Sequence, residues 1–416
     1  MNYLSNALIA ALLLLSACAQ TPPKPTIAKP KPPSTGTPAA GGASSGATAP
    51  GTAAVEPERK PSEPPFRRAD FTDLPDWDTQ DFTTAYLNFK NQCPQVIKRK
   101  ASSPDLRKIC EGVVNSKKPE KTTARQWFEA KFDVWQVVQE DGQTQGLLTG
   151  YFEPMLKGSR QKQGSFKHPL FPVPSDLITV DLADVYPSLK GMRLRGRLEG
   201  NKLVAYPNRG QWETIGERKT EPLVYVDDAL DAFLLQVQGS GRIELEGGQT
   251  VRLGYADQNG HPYVAIGKVL VNRGVLTPEE ATIPGIRKWA AQNPKDLPAL
   301  LNENPSVVFF KETALTNPNE GPNGSLGVPL VPEGSIAIDP NIISLGSPVF
   351  VNSEHPLNKA AFNRLVLAQD TGGAIRGRVR ADMFWGWGAA PAELAGVTRQ
   401  PMKMWMLWPK GAVPGG

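Results

Sequence analysis

Three aspartates in the C-terminal part of the chain offer the clearest chemistry. Asp370 ends the apolar run Leu365-Val366-Leu367-Ala368-Gln369 and opens Thr371-Gly372-Gly373. Asp382 follows Arg380-Ala381 and precedes Met383-Phe384-Trp385, and Asp339 lies between Ser335-Ile336-Ala337-Ile338 and Pro340. A strand that ends in Asp-Thr-Gly-Gly puts its carboxylate at a rim where the backbone can turn sharply. A carboxyl beside aromatic rings is partly desolvated, which raises its pKa and keeps it protonated near neutral pH, as a general acid requires. Asp382 fits that description. Asp before glycine and Asp-Pro are also common turn residues. Asp339 and Asp370 fit better as structural carboxylates that bond backbone amides.

Other chemistries find little support. The sequence has no P-loop, no GxSxG and no HExxH, and its three histidines, His168, His261 and His355, are scattered. No metal site and no cofactor are expected. The Ser and Cys residues have no evident base partner, which disfavours nucleophilic triads. The formal net charge of +5 would suit an anionic polymer, but no Lys/Arg run interleaves with aromatics, so nucleic acid is not an expected partner.

The elements that must position these aspartates occupy the later part of a chain of 416 residues. Leu8 to Leu15 is an apolar segment too short to span a bilayer, ending in Leu15-Ser16-Ala17-Cys18. It resembles a bacterial lipobox over residues 1–17, with cleavage before Cys18 and lipidation of that thiol; the alternative is an ordinary signal peptide with a chance cysteine. Ala19, in place of Asp, implies the outer membrane, with a lipid anchor and the protein on the periplasmic face. Export leaves Cys93 and Cys110 as one disulfide or as two separate buried thiols. Residues 18–65, rich in Pro, Ala, Gly, Ser and Thr, read as a disordered tether.

Helical spacing is present in Thr84-Ala85-Tyr86-Leu87-Asn88-Phe89 and clearer in Ala124 to Trp135. From about Gly146 short apolar runs broken by Gly and Pro predict strands, among them Leu147 to Pro154, Leu223 to Val226 and Val349 to Val351. Helical patches are predicted at Tyr263–Val271 and Ile286–Ala291. The expected fold class is mainly β with an N-terminal helical segment. The expected division is a helical segment at 66–155, an inserted β domain at 156–322, and a β-rich part at 323–410.

Asp339, Asp370 and Asp382, with the run Asp370-Thr371-Gly372-Gly373-Ala374-Ile375-Arg376-Gly377, resemble the "3D" signature of the membrane-bound lytic murein transglycosylase A family. Further segments resemble that family in the same order: Thr149-Gly150-Tyr151-Phe152-Glu153-Pro154, Val237-Gln238-Gly239-Ser240-Gly241-Arg242, Gly254 to Tyr263 with Ile266-Gly267, and Asn304 to Phe310. The resemblance implies a double-psi β-barrel and an inserted second β domain (the MltA domain), with a groove between them. It implies Asp382 as the catalytic acid, Asp339 and Asp370 as supporting carboxylates, and Thr149, Tyr151, Gln238, Ser240 and Gly241 as groove residues. The spacing between Asp370 and Asp382 is one residue longer than in some relatives. The implied partner is the peptidoglycan glycan strand, cleaved by a monomer at the β-1,4 bond between N-acetylmuramic acid and N-acetylglucosamine, without water, to 1,6-anhydromuramyl ends. Two alternatives stand beside this: a glycoside hydrolase pairing Asp382 with Asp370 or Asp339, and a non-catalytic wall-binding lipoprotein.

Overall fold

Tyr86, Phe89, Cys93 and Val96 recur at helical spacing and bury one face of helix α1 (Thr83–Lys98). The computed structural model containing it describes residues 63–114, 121–189, 192, 194–315 and 317–415. The leader, Cys18 and the tether up to residue 62 lie outside the described residues. Helices α2 (Pro104–Val113) and α3 (Lys121–Lys131) follow, and Cys93 of α1 is joined to Cys110 of α2 by a disulfide. Phe89, Phe128 and Phe132 are fully buried and meet edge-on or tilted, with centroids 5.7–6.3 Å apart. Truncating any one of them to alanine would cost about 3–5 kcal/mol.

These helices cap a closed barrel. Strand β1 (Phe66–Ala69) pairs with β2 (Phe132–Val137), and β3 (Gly146–Glu153) enters the barrel wall. The chain then leaves to build a second module and returns for β13 to β17. The second module contains β4 (Met155–Ser159), β5 (His168–Leu170) and a small sheet of β6 (Ile178–Thr179), β7 (Arg195–Glu199) and β8 (Lys202–Ala205). It continues with β9 (Val224–Val226), β10 (Ser240–Leu245), β11 (Thr250–Gln258) and β12 (Val308–Ala314). Its main sheet has the order β12-β11-β10-β4-β9-β5. Phe310 N donates to Phe171 O at 2.8 Å just past β5, so the two ends of this sheet meet.

The returning strands are β13 (Ser335–Ile338), β14 (Pro348–Glu354), β15 (Ala361–Asp370), β16 (Arg380–Trp387) and β17 (Arg399–Pro409). The order β17-β14-β15-β13-β16-β3 is closed by a further β17–β3 pairing, giving a six-stranded ring with no free edge. Within it β13 runs parallel to β15, and β16 parallel to β3. All four residues of β13 are buried, because β13 sits between β15 and β16 under the helices.

The second module is more helical than the sequence suggests. It carries α4 (Arg209–Lys219), α5 (Ala229–Gln238), α6 (Ile266–Asn272), α7 (Ile283–Gln292) and α8 (Leu297–Asn302). Only α6 and α7 have a counterpart among the predicted patches. The near-continuous apolar run of α5 reads equally as a buried strand. In α4 only Trp212, Gly216 and Arg209 are buried, so its periodicity is faint. Helix α9 (Ala389–Val397), between β16 and β17, also lacks a sequence signal.

A buried polar network ties α1 to the aspartate-bearing strands. Gln369 Nε2 donates to Asn88 Oδ1 and Gln92 Oε1, both at 3.1 Å, and Ser335 Oγ donates to Gln369 Oε1 at 2.5 Å. Asn88 Nδ2 and Gln92 Nε2 donate to the carbonyls of Gly334 and Gly346 at 3.0 and 2.6 Å. With every amide partnered, the network fixes the register of β13 and β15 beneath the rim.

Candidate active site

Strand register assembles the site. On β16, Asp382 is in register with Thr149 of β3 on one side and Ala337 of β13 on the other; Ala337 is in turn paired with Asp370 of β15. Register partners project to the same face. Asp370 and Asp382 therefore flank Ala337, across a register shift in the β13–β15 pairing, close enough for the Asp370 charge to act on Asp382. Phe384, two residues beyond Asp382, shares the face of Asp382 and packs its ring 5.3 Å from Tyr151.

Thr149 Oγ1 donates to Asp382 Oδ1, and Arg380 Nη2 donates to Thr149 Oγ1 at 2.8 Å. A hydroxyl has one proton. Since the guanidinium can only donate, Thr149 must give its proton to Asp382. Burial pushes the Asp382 carboxyl up to about 6; the Thr149 hydrogen bond and the Arg380 charge oppose this, and the Asp370 charge adds to it. Among the described residues Oδ2 of Asp382 has no protein donor, so it is the oxygen left to carry a proton.

The other two aspartates are saturated. Asp370 Oδ1 accepts from Ser325 N, Ser325 Oγ and Thr371 N, each at 2.9 Å, and Oδ2 accepts from Tyr151 Oη at 2.9 Å. Burial raises its pKa, and those four donors hold the rise in check. Burial and the neighbouring carboxylates push the Tyr151 hydroxyl well above its ordinary range, so it stays a donor. Asp339 is buried; Oδ2 accepts from Gly377 N at 3.0 Å, and Oδ1 from Asn341 N and Nδ2 at 3.1 Å. It stiffens the loop before β16.

The second module meets the barrel beside this face. Gln238, the last residue of α5, accepts from Phe152 N at 3.1 Å and ties the helix end to β3 next to Tyr151. Gly239 terminates α5 with φ 81°, a left-handed conformation that favours glycine, and half-buried Ser240 begins β10. Gly241 has a packing role. It is buried, and a Cβ there would lie 2.2 Å from Leu235 Cδ1, so the glycine serves close packing of α5 on β10. Behind the groove, fully buried Glu153 accepts from Arg242 Nε at 2.8 Å and Arg252 Nε at 2.6 Å. Arg242 also donates to the carbonyls of Pro318 and Glu320, and its guanidinium lies 4.3 Å from the Trp387 ring centroid.

Sequence reasoning missed Arg380, Ser325 and Glu153. Arg380 was within reach: it precedes Asp382 by two on a strand, and i and i+2 share a face. Ser325 and Glu153 gave no signal, since their partners lie far away in the chain.

Residues 147–311 match the family described as the MltA specific insert domain, and residues 334–408 match the 3D domain. Membrane-bound lytic murein transglycosylase A of Escherichia coli K12 is 31% identical over 284 residues, covering 66% of this chain and 69% of that protein. Among solved structures, MltA from Neisseria gonorrhoeae in its monoclinic form is 34% identical with a TM-score of 0.71, covering 84% of this chain and 94% of that one. Escherichia coli MltA with bound chitohexaose is 25% identical with a TM-score of 0.58, covering 85% and 97% respectively. With that identity across more than two thirds of a relative, and the gonococcal fold followed over nearly its whole length, this chain belongs to the membrane-bound lytic murein transglycosylase A family.

Proposed function

We propose that this lytic murein transglycosylase cuts the β-1,4 bond between N-acetylmuramic acid and N-acetylglucosamine with Asp382 as its single acid and base. One observation carries the reading. Of the three aspartates, only Asp382 has an unpartnered oxygen and a pKa raised to about 6, while Asp339 and Asp370 spend their oxygens on protein donors. A hydrolase of this kind would need a second carboxylate free to activate water or attack the sugar. The bound chitohexaose of the Escherichia coli relative, a glycan, supports a sugar chain as the ligand of the groove.

The steps balance with one carboxyl. Asp382 Oδ2 gives its proton to the glycosidic oxygen as the C1–O bond breaks, and positive charge develops at C1 of the muramyl ring. The adjacent carboxylates Asp382 and Asp370 stabilise that charge. Asp382 then takes the proton of the same sugar's C6 hydroxyl while O6 bonds to C1. The product is a 1,6-anhydromuramyl end, and no water is consumed. An internal nucleophile needs no second base because its effective concentration is very high.

Mass analysis of fragments released from purified sacculi tests this: 1,6-anhydro ends are expected, and reducing muramic acid ends would overturn it. Asp382→Ala should abolish release while the protein still folds. We also propose that the protein is held on the periplasmic face of the outer membrane by a lipid on Cys18, with residues 18–62 as tether ahead of Glu63 and Pro65, which bond Glu140 and Val138, and acts there as a monomer. Cys18→Ser should move the enzyme from the membrane fraction to the soluble periplasm.

A further inference from the structure

The catalytic face continues past Thr149. Arg399 of β17 is in register with Thr149, as Thr149 is with Asp382, so the three side chains form one row across adjacent strands. At about 4.8 Å between strands, the Arg399 backbone lies roughly 10 Å from that of Asp382. Arg399 is exposed, and among the described residues it has no hydrogen-bond or ion-pair partner. One step along the same strands, Leu147 is in register with Arg380 and with Pro401. Leu147, Pro401 and Asp339 line a cavity of about 1100 Å³ that begins one row, about 7 Å, from the acid.

Charges of both signs line the cavity. Arg399 and Arg378 line it, the latter anchored through Nη1 to the carbonyls of Glu63 and Gln139. Glu140 and Asp141, in the turn between β2 and β3, line it as well. A bare glycan of amide and hydroxyl groups has no use for such a pair of charges. The peptide stem of murein does: it carries free carboxylates and, on its diamino acid, an ammonium group. The stem leaves the muramyl ring through the lactyl ether at O3, on the same sugar whose C1 faces Asp382. At 3.3–3.6 Å per extended residue, about three stem residues span the roughly 10 Å to Arg399.

We propose that this cavity is a subsite for the peptide stem of the muramyl residue being cleaved. Arg399 binds a stem carboxylate, and the Glu140–Asp141 turn receives the ammonium. The proposal rests on the transglycosylase reading and adds a preference for peptide-bearing strands.

The test compares glycan strands of matched length that either retain their stems or have been stripped by an amidase. The readout is the ratio of kcat/KM on the two. Arg399→Ala should lower the ratio about tenfold, the worth of a charge-assisted hydrogen bond at a partly open site. Arg399→Lys should restore part of it, and Arg399→Glu should lower it further. A ratio that is the same in parent and Arg399→Ala overturns the stem subsite. A parent enzyme that releases nothing from either strand overturns the transglycosylase reading itself.

Discussion

Thr149→Val is the sharpest probe of how the acid is tuned. Valine keeps the volume and the strand preference of threonine but removes the hydroxyl that donates to Asp382 and accepts from Arg380. That hydrogen bond favours the ionised carboxylate, so losing it must raise the pKa of Asp382 above its present value of about 6. A hydrogen bond to a charged group contributes about 1.5–3 kcal/mol. At 1.36 kcal/mol for each pH unit, the alkaline limb of the kcat profile, where the acid loses its proton, should move up by about 1 to 2 pH units. The peak rate should fall, because Asp382 loses the contact that orients its carboxyl and a weaker acid transfers its proton less readily. The assay is the pH dependence of soluble fragment release from labelled sacculi under saturating conditions. An unmoved limb, or one displaced to lower pH, would refute the claim that Thr149 tunes this carboxyl.

Asp382→Asn should inactivate the enzyme and stabilise it at neutral pH. The folded-state pKa of about 6 lies above the ordinary 3.8, so the protonated acid's contribution is fully present below about pH 4 and lost as pH rises through 6. Asparagine should therefore gain about 1–3 kcal/mol over the parent at pH 7, with little gain at pH 4, as urea melts at the two pH values will show. Glu153→Gln leaves Arg242 and Arg252 buried without a counter-charge and should cost about 3 kcal/mol in the same melts. Reducing the bond between Cys93 and Cys110, which are 17 residues apart, should cost about 3 kcal/mol, measured by melts with and without a reductant.

Much of the site was legible because β-strands write their geometry into spacing. The motif around Asp382 and the Thr149 segment were both visible, although their meeting depends on a pairing across 233 residues. The different environments of Asp370 and Asp382 were anticipated in kind: a carboxylate followed by Thr-Gly-Gly collects amides, whereas one followed by large apolar residues does not. The rings' part in this was only partial, since Phe384 shares the face of Asp382 while Trp385 points away and bonds Thr398. Arg380 was within reach through its spacing from Asp382, but its hydrogen bond to Thr149 on a distant strand was not. In Gly241 the reverse held, with a glycine of the groove motif spent on packing against Leu235. The helices of the second module escaped for a simpler reason. A buried helix such as α5 shows the same apolar run as a buried strand, and tertiary packing alone decides between them.

The insertion of one module inside a wall of the other has a consequence for the timing of synthesis. β3 is made long before β16 and β17, its neighbours in the ring, and the hydrogen bond from Thr149 to Asp382 spans 233 residues. At about 5–20 residues per second, β3 waits roughly 10–50 s with both edges unpaired. Loop closure over that span makes the ring a slow, late event compared with the local helices α1 to α3. Any fragment that stops before residue 382 lacks the proposed acid and the strands that close the wall. On the proposed mechanism, lytic competence arrives only when nearly all of the chain is available, and a nascent or truncated copy that lacks Asp382 has no acid with which to cut the polymer.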